Sequence, residues 1–319
     1  VQTTTFNSWA LSIIRKSVRG QPFFKYLNIP SFIEEIKFSE EILKALSGWV
    51  EKQSAVLDQK IKIQFGSRPA YYENWIKSKD KPILVRLRDF SHEVKTSKLP
   101  DAEKKEKLGF IKKQIFSFED YLQDLYDLLS DIDHLKQYLR ADTKLLSNLD
   151  YLKRLTEKNR LKKNLDYFDM SLILRLIQIK NGGLPDGNGG TVALDHVVID
   201  EAQDFGPVEF AIMMDSVSDK RQITIVGDIA QKIFLARKFI GWDKVVEYLG
   251  LDEDAIIKLE VSFRCTVPIM SLAHKVAGNP KKVEGRTGPD PIWHESDNYV
   301  SLIETLVDWS RDLLRADPN

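Results

Sequence analysis

Val197-Val198-Ile199-Asp200-Glu201-Ala202-Gln203-Asp204 is the stretch on which the reading of this sequence turns. Three β-branched apolar residues in succession suit a strand buried on both faces, as in a parallel sheet. They stop at two adjacent carboxylates. Asp200 and Glu201 therefore fall at the carboxyl end of a strand, where α/β proteins bind their ligands. Phosphoryl transfer needs one acid to hold Mg2+, usually through water, and another group to orient or deprotonate the attacking water. Asp200 and Glu201 suit these two roles. An isolated Asp-Glu pair is common in surface turns, so the weight comes from its surroundings.

Toward the C-terminus, Val192 to Ile199 reads as one strand and Ile223-Thr224-Ile225-Val226 as a second buried one. The second ends in Gly227-Asp228-Ile229-Ala230-Gln231, which brings Asp228 and Gln231 to the same sheet edge if the strands are neighbours. A glutamine there can hydrogen-bond a phosphate and the attacking water without adding negative charge. Between the strands, Pro207 to Met214 reads as a helix with proline in its first turn. Ile256 to Leu259 reads as a third strand, and Ser262-Phe263-Arg264 then supplies an arginine just past it. An arginine reaching a γ-phosphate stabilises transition-state charge; taken alone, Arg264 reads equally as a surface residue. Pro291 to His294 and a helix through Leu302, Leu306 and Leu313 open a further unit.

Toward the N-terminus the hydrophobic period changes. Val1 to Phe6 reads as the end of a strand, followed by a helix from about Ser8 to Val18, and a strand at the very terminus suggests a truncated domain. Residues 20–165 read as helical. Ser31 and Glu34 form a capping-box pattern ahead of Ile36, Ile42, Leu43 and Leu46. Ser117 and Asp120 repeat the cap signal, and Leu145, Leu149, Leu152 and Leu155 follow at helical spacing. From Lys77 to Lys113 run 12 basic residues against 6 acidic ones, with Tyr71, Tyr72, Trp75 and Phe90 nearby. That stretch suits either a nucleic-acid surface or a solvated helix face. Asn181 to Gly190 reads as a flexible surface loop.

Lys+Arg and Asp+Glu both total 47 in 319 residues, so overall charge points to no polyanionic partner and any basic footprint is local. The length suits two or three domains. A single cysteine, Cys265, excludes an intramolecular disulfide framework and a cysteine-based zinc site, and suits a reducing compartment. His134, His196, His274 and His294 show no metal-ligand spacing. No apolar run approaches the roughly 18 residues of a membrane span, and no basic segment with an apolar stretch opens the chain as a signal peptide would. A soluble, cytoplasmic chain with no membrane partner is expected.

The ordered motifs resemble those of UvrD/Rep-type superfamily 1 helicases. Asp200 to Asp204 is similar to the DEAQD form of the Walker B motif, Gly227 to Phe234 to the third motif and Ser262-Phe263-Arg264 to the fourth. Thr5-Phe6-Asn7-Ser8-Trp9-Ala10 resembles the earlier TFHS motif with Asn7 in place of histidine, and Asp166-Tyr167-Phe168-Asp169-Met170 resembles the aspartate-rich segment before Walker B. Sequence around Arg264 and Gly285 to Pro289 also resembles the HelD branch, a transcription-associated relative.

The resemblance implies an α/β fold, a RecA-like P-loop NTPase core of parallel sheet flanked by helices, with a large, mostly helical insertion. Residues 1–19 and 166–258 would form an incomplete first RecA-like domain, residues 20–165 the insertion, and residues 259–319 the start of a second RecA-like domain. It also implies ATP and Mg2+ as cofactors and single-stranded DNA as partner. Asp200 would hold Mg2+ through water and Glu201 activate water. Asp228 would face the nucleotide, and Gln231 and Arg264 contact the γ-phosphate. Gln203 and Asp204 would couple that site to the bound strand, near which Phe6, Ser8 and Phe234 would lie, with Lys232 and Arg237 as backbone contacts. Phe6 and Phe234 suit a hydrophobic core equally well.

Departures from the pattern are equally specific. No G-x-x-x-x-G-K-[ST] phosphate loop occurs in the sequence, the late motifs of the second domain are missing after Asn319, and Ala236 replaces a stacking aromatic. The expectation is a central fragment of an ATP-dependent DNA helicase, inactive by itself. The rival expectation is a non-motor or HelD-like module acting on RNA polymerase, repair proteins or another protein partner. A helicase–nuclease parent is a third.

Overall fold

The computed structural model describes residues 3–20, 22–25, 29–139, 143–219, 221–228, 239–252, 255–259, 261–278 and 282–316. The chain divides into two units, residues 1–251 and 252–319. In the first, α1 (Phe6–Ser17) and β1 (Phe24–Lys25) precede nine helices: α2 (Ser31–Lys37), α3 (Glu40–Gln64), α4 (Pro69–Lys77), α5 (Ile83–Thr96), α6 (Asp101–Phe118), α7 (Tyr121–Ser130), α8 (Ile132–Tyr138), α9 (Thr143–Leu146) and α10 (Leu149–Lys162). Then come β2 (Leu165–Asp166), α11 (Asp169–Asn181), β3 (Val197–Ile199), α12 (Pro207–Met214), β4 (Ile223–Ile225) and α13 (Trp242–Leu249). The second unit holds α14 (Val267–Val276) and α15 (Tyr299–Ala316). The fold is thus helix-rich and mixed, with two small parallel sheets, β1–β2 and β3–β4.

Local chemistry sets the helix starts. The Thr5 hydroxyl accepts the Ser8 N–H at 3.2 Å and opens α1, while Asp120 takes the Gln123 N–H at 3.1 Å to open α7. Thr5 is extended but unpaired with any strand, so the strand expected up to Phe6 is replaced among the described residues by an N-cap. Ser31 lies inside α2, with Pro30 as the capping residue, so the expected capping box does not form there.

Helix α11 is the axis of the first unit. Leu172, Ile173, Leu174, Leu176 and Ile177 are all fully buried, each contributing about 1.5–3 kcal/mol of apolar burial. Helices α1, α3, α5, α7 and α12 pack around it. An all-round apolar helix has to be enclosed. Its polar residues are enclosed too: the Lys180 ammonium meets the Asp124 carboxylate and donates to the Phe118 carbonyl at 3.1 Å, tying α11 to α7.

Helix α12 separates two cores. Val208 and Ile212, one helical turn apart, join the large core around α11, while Phe210 and Met214 join a smaller one with Val197, Ile199, Val245 and Leu249. The β3–β4 sheet meets this smaller core with one face only. Val197 and Ile199 point inward, and Val198 is 66% exposed on the other face, as a period of two requires. The expectation of a strand buried on both faces is therefore corrected for the described residues. The expected strand at residues 192–199 contracts to β3 plus a single bridge from Leu194 to Val217. No strand forms at residues 256–259, where Ile257 and Leu259 are exposed and no ladder partner is present among the described residues.

The basic, aromatic stretch also resolves into packing. Trp75 and Phe90 are buried with ring centroids 5.4 Å apart, and Tyr71 packs against the Phe65 and Phe90 rings. Arg86 is buried over the Trp75 ring at 3.9 Å and pairs with Asp58 at 3.1 Å. Those aromatics form core, not a stacking platform. Among the described residues, no helix is long and apolar enough to cross a membrane.

In the second unit, a bridge from Ser262 to Gly285 and a hydrogen bond from the Val267 N–H to the Arg286 carbonyl at 2.8 Å bring two segments together ahead of α14.

Candidate active site

β3 and β4 run parallel with Val197 opposite Ile223, Val198 opposite Thr224 and Ile199 opposite Ile225. Their ladder continues past the strand ends: the Val226 N–H donates to the Ile199 carbonyl at 2.8 Å, and the Ala202 N–H to the Val226 carbonyl at 2.9 Å. Parallel direction and shared register therefore carry Asp200, Glu201 and Asp228 to one edge of the sheet. All three are exposed there.

Glu201 adopts a left-handed backbone, φ 52°, and opens a single 3-10 turn over Ala202–Asp204. Such a conformation costs a residue with a side chain about 1–2 kcal/mol. Local bonds hold it. The Asp200 carboxylate accepts the Glu201 N–H at 2.9 Å, and the Glu201 carbonyl accepts the Asp204 N–H at 2.9 Å. Strain of this kind, maintained by its surroundings, is concentrated at functional positions.

Gln203 is buried beneath this turn and spans it. Its Nε2 donates to Glu201 Oε2 at 2.6 Å, and its Oε1 accepts the Asp228 N–H at 2.9 Å. A carboxylate on one side and an N–H on the other admit only this orientation of the amide. One side chain thus links the ends of both strands.

Beyond the turn, the Phe205 ring meets Phe6 edge-on at 5.6 Å and Phe210 at 5.8 Å. Phe6 is half-buried and also touches Trp9 at 6.0 Å. Ser8 is exposed, and its hydroxyl accepts from Thr5 at 2.9 Å. The segment containing Phe6 and Ser8 is thereby joined to the segment after Asp204. Gln231, Lys232, Phe234 and Arg237 lie outside the described residues. Arg264 belongs to the second unit, where it is exposed and its carbonyl accepts from the Arg286 guanidinium at 3.3 Å.

Among the described residues, no group of three or more His, Cys, Asp or Glu side chains could by itself hold a metal ion. One or two carboxylates completed by water and phosphate oxygens suffice for Mg2+, and the exposed Asp200 carboxylate fits that partial donor set.

A second polar cluster joins the two acids of the aspartate-rich segment, Asp166 and Asp169, to Lys37, a partner that sequence reasoning did not find. Lys37, at the end of α2, places its ammonium 2.6 Å from Asp166 and 2.6 Å from Asp169. All three are buried. Asp166 also accepts the N–H groups of Phe168 and Asp169 at 2.9 and 3.0 Å, opening α11. Burial opposes the charge on Lys37, but Asp169 and Asp166 outweigh it and hold its pKa above the ordinary lysine value. Burial and the neighbouring Asp166 push the Asp169 carboxyl up to about 6, against the pull of Lys37. Lys37 and Asp166 lie 129 positions apart, so no local pattern could have paired them.

The sequence model of the UvrD/REP helicase N-terminal domain matches residues 1–238. A probable DNA helicase II homolog from Rickettsia conorii is 31% identical over 121 residues, which is 36% of this chain and 17% of that protein. The ATP-dependent DNA helicase UvrD2 of Mycobacterium tuberculosis is 30% identical over 123 residues, which is 34% of this chain and 17% of that protein. The aligned stretches thus cover about a sixth of the length of these curated relatives.

Proposed function

The chain belongs to the UvrD/REP helicase family, and from that premise we propose that it carries part of the nucleotide site of an ATP-dependent superfamily 1 DNA helicase. In this reading residues 1–19 and 166–258 contribute to a RecA-like core, residues 20–165 are its helical insertion and residues 259–319 begin the second RecA-like domain. The observation that carries it is the meeting of Asp200, Glu201 and Asp228 at one edge of a parallel strand pair, with Gln203 linking the two strand ends.

Mg2+, when bound, would neutralise phosphate charge beside Asp200. Glu201 would accept a proton from the attacking water. Asp228 and Gln231 would complete the edge, and Arg264 would contact the γ-phosphate. Asp204, Gln203 and the Phe205–Phe6 contact offer a physical route from this edge to the segment of Phe6 and Ser8. Single-stranded DNA would be gripped mainly through its backbone, with Lys232 and Arg237 as cationic contacts and Phe234 stacking a base.

The test uses a full-length protein containing this chain. ATP hydrolysis should be stimulated by single-stranded DNA and abolished by Glu201→Gln, with strand affinity falling steeply as salt rises. Hydrolysis that survives Glu201→Gln would overturn the assignment of the site. Salt-insensitive binding or none, with a protein partner captured instead, would favour the non-motor reading.

A further inference from the structure

Gly227 stands between the two strand ends with very little room around it. A Cβ at this position would lie 2.7 Å from Gln203 Oε1, 3.1 Å from the Ala202 nitrogen and 3.2 Å from the Ala202 Cβ. Real Cβ atoms do not sit that close to an oxygen, so something has to move. The Ala202 contacts belong to a buried residue whose N–H is already bonded to the Val226 carbonyl. The Gln203 amide is the end of a side chain and is the group that can give way.

Giving way has a direct chemical consequence. The amide that would be displaced is the one whose Nε2 holds the Glu201 carboxylate at 2.6 Å. Its other end is keyed by the Asp228 N–H at 2.9 Å, on the residue immediately after Gly227. The backbone of residues 227–228 therefore sets where the amide sits, and the amide sets where the carboxylate points.

We propose that Gly227 is a positioning residue for Glu201, acting through the Gln203 amide: its missing side chain lets the end of β4 approach closely enough to orient the carboxylate at the end of β3. This rests on the reading of Glu201 as the group that activates water. It follows that a shift of the Gly227 backbone changes the aim of Glu201 through the Gln203 amide.

The experiment is a double-mutant cycle in the full-length protein, with kcat and KM for ATP measured at saturating single-stranded DNA and thermal midpoints recorded for every variant. Gly227→Ala should lower kcat by roughly 10- to 100-fold, the size expected from misplacing a catalytic group by about 1 Å, with KM for ATP within about twofold of the wild type. Gln203→Ala should lower kcat similarly. In Gly227→Ala/Gln203→Ala the shortened side chain removes the closest contact of the new methyl and leaves only the milder ones to Ala202, so kcat should be close to that of Gln203→Ala alone. A purely structural role would instead lower both midpoints and multiply the two losses. Wild-type kcat in Gly227→Ala, or multiplicative losses in the double variant, overturns the proposal. Glu201→Gln separates this from the reading beneath it: if that variant is inactive while Gly227→Ala is normal, only the positioning role fails. If Glu201→Gln still hydrolyses ATP, the site assignment fails first. Should Gly227→Ala not fold, amide exchange in Gln203→Ala decides. The Asp228 N–H should then exchange at least tenfold faster while the Val226 N–H keeps its rate, and an unchanged Asp228 rate overturns the proposal.

Discussion

The ammonium of Lys37 and the carboxylate of Asp169 sit 2.6 Å apart at the place where the helices of residues 31–162 join α11. Asp166 completes the cluster from β2, whose partner strand β1 is the segment just before those helices. Entry and exit of the helical stretch are thus held together by a two-residue parallel pairing and a buried ionic triad.

Lys37→Met keeps the length of the side chain and removes its charge. Two carboxylates then remain buried without a cation, which costs about 3–5 kcal/mol when one partner of a buried pair is removed. Urea unfolding of the purified chain should show the loss as a lower midpoint. A change below about 1 kcal/mol would mean that water already screens the cluster.

The triad also makes stability depend on pH in an uncommon direction. The Asp169 pKa of about 6 in the folded chain lies above its ordinary value near 3.8. Between about pH 4 and 6 the folded state therefore binds more protons than the unfolded one. The contribution of Asp169 is fully present below about pH 4 and is lost as pH rises through 6. The check is a carboxyl-carbon NMR titration, in which Asp169 should turn over near pH 6. Asp131 should turn over below the usual aspartate range, because hydrogen bonds from Lys52 and the His134 N–H outweigh its partial burial. Asp169 titrating near 4 would contradict the prediction.

Gly48 lies within α3, and a Cβ there would fall 1.7 Å from the Tyr138 hydroxyl oxygen and 2.7 Å from the ring carbon bearing it. Alanine normally stabilises a helix interior relative to glycine by about 1 kcal/mol. Here overpacking against a rigid ring should win, leaving Gly48→Ala less stable by about 1–2 kcal/mol. Tyr138→Ala in the same chain should make the Gly48→Ala change neutral or favourable. Thermal denaturation of the four proteins tests this.

This chain by itself should not hydrolyse ATP at an appreciable rate. Asp200 and Glu201 offer acid and base, but the sequence contains no glycine-rich loop ending in Gly-Lys-Ser/Thr to cradle phosphates. Carboxylates alone repel a polyanion. Steady-state phosphate release from the purified chain, with and without single-stranded DNA, should stay at background. Turnover near 1 s⁻¹ that is lost in Glu201→Gln would show that another segment holds the nucleotide.

The sequence by itself determined what depends on near neighbours. Apolar Val197 to Ile199 followed by Asp200 and Glu201 announces a strand ending in carboxylates, because side-chain period and backbone preference act over a few residues. Asp120 announces a helix start for the same reason, although Ser117, read with it as the cap signal, lies inside α6. Chain length and composition could not say which aromatics meet. Trp75 and Phe90, legible as a base-stacking surface, became core because the turn between α4 and α5 folds one helix against the other. Nor could they reveal that Val198 faces outward or that the Gln203 amide reaches both Glu201 and Asp228, since the second contact depends on β4 lying beside β3. Lys37 is the clearest case. Its position near the end of an ordinary amphipathic helix gives no sign of charge burial, and only the path of the chain through the helices between β1 and β2 brings two aspartates to it. Desolvating one lysine is tolerable only when tertiary structure supplies the opposite charge.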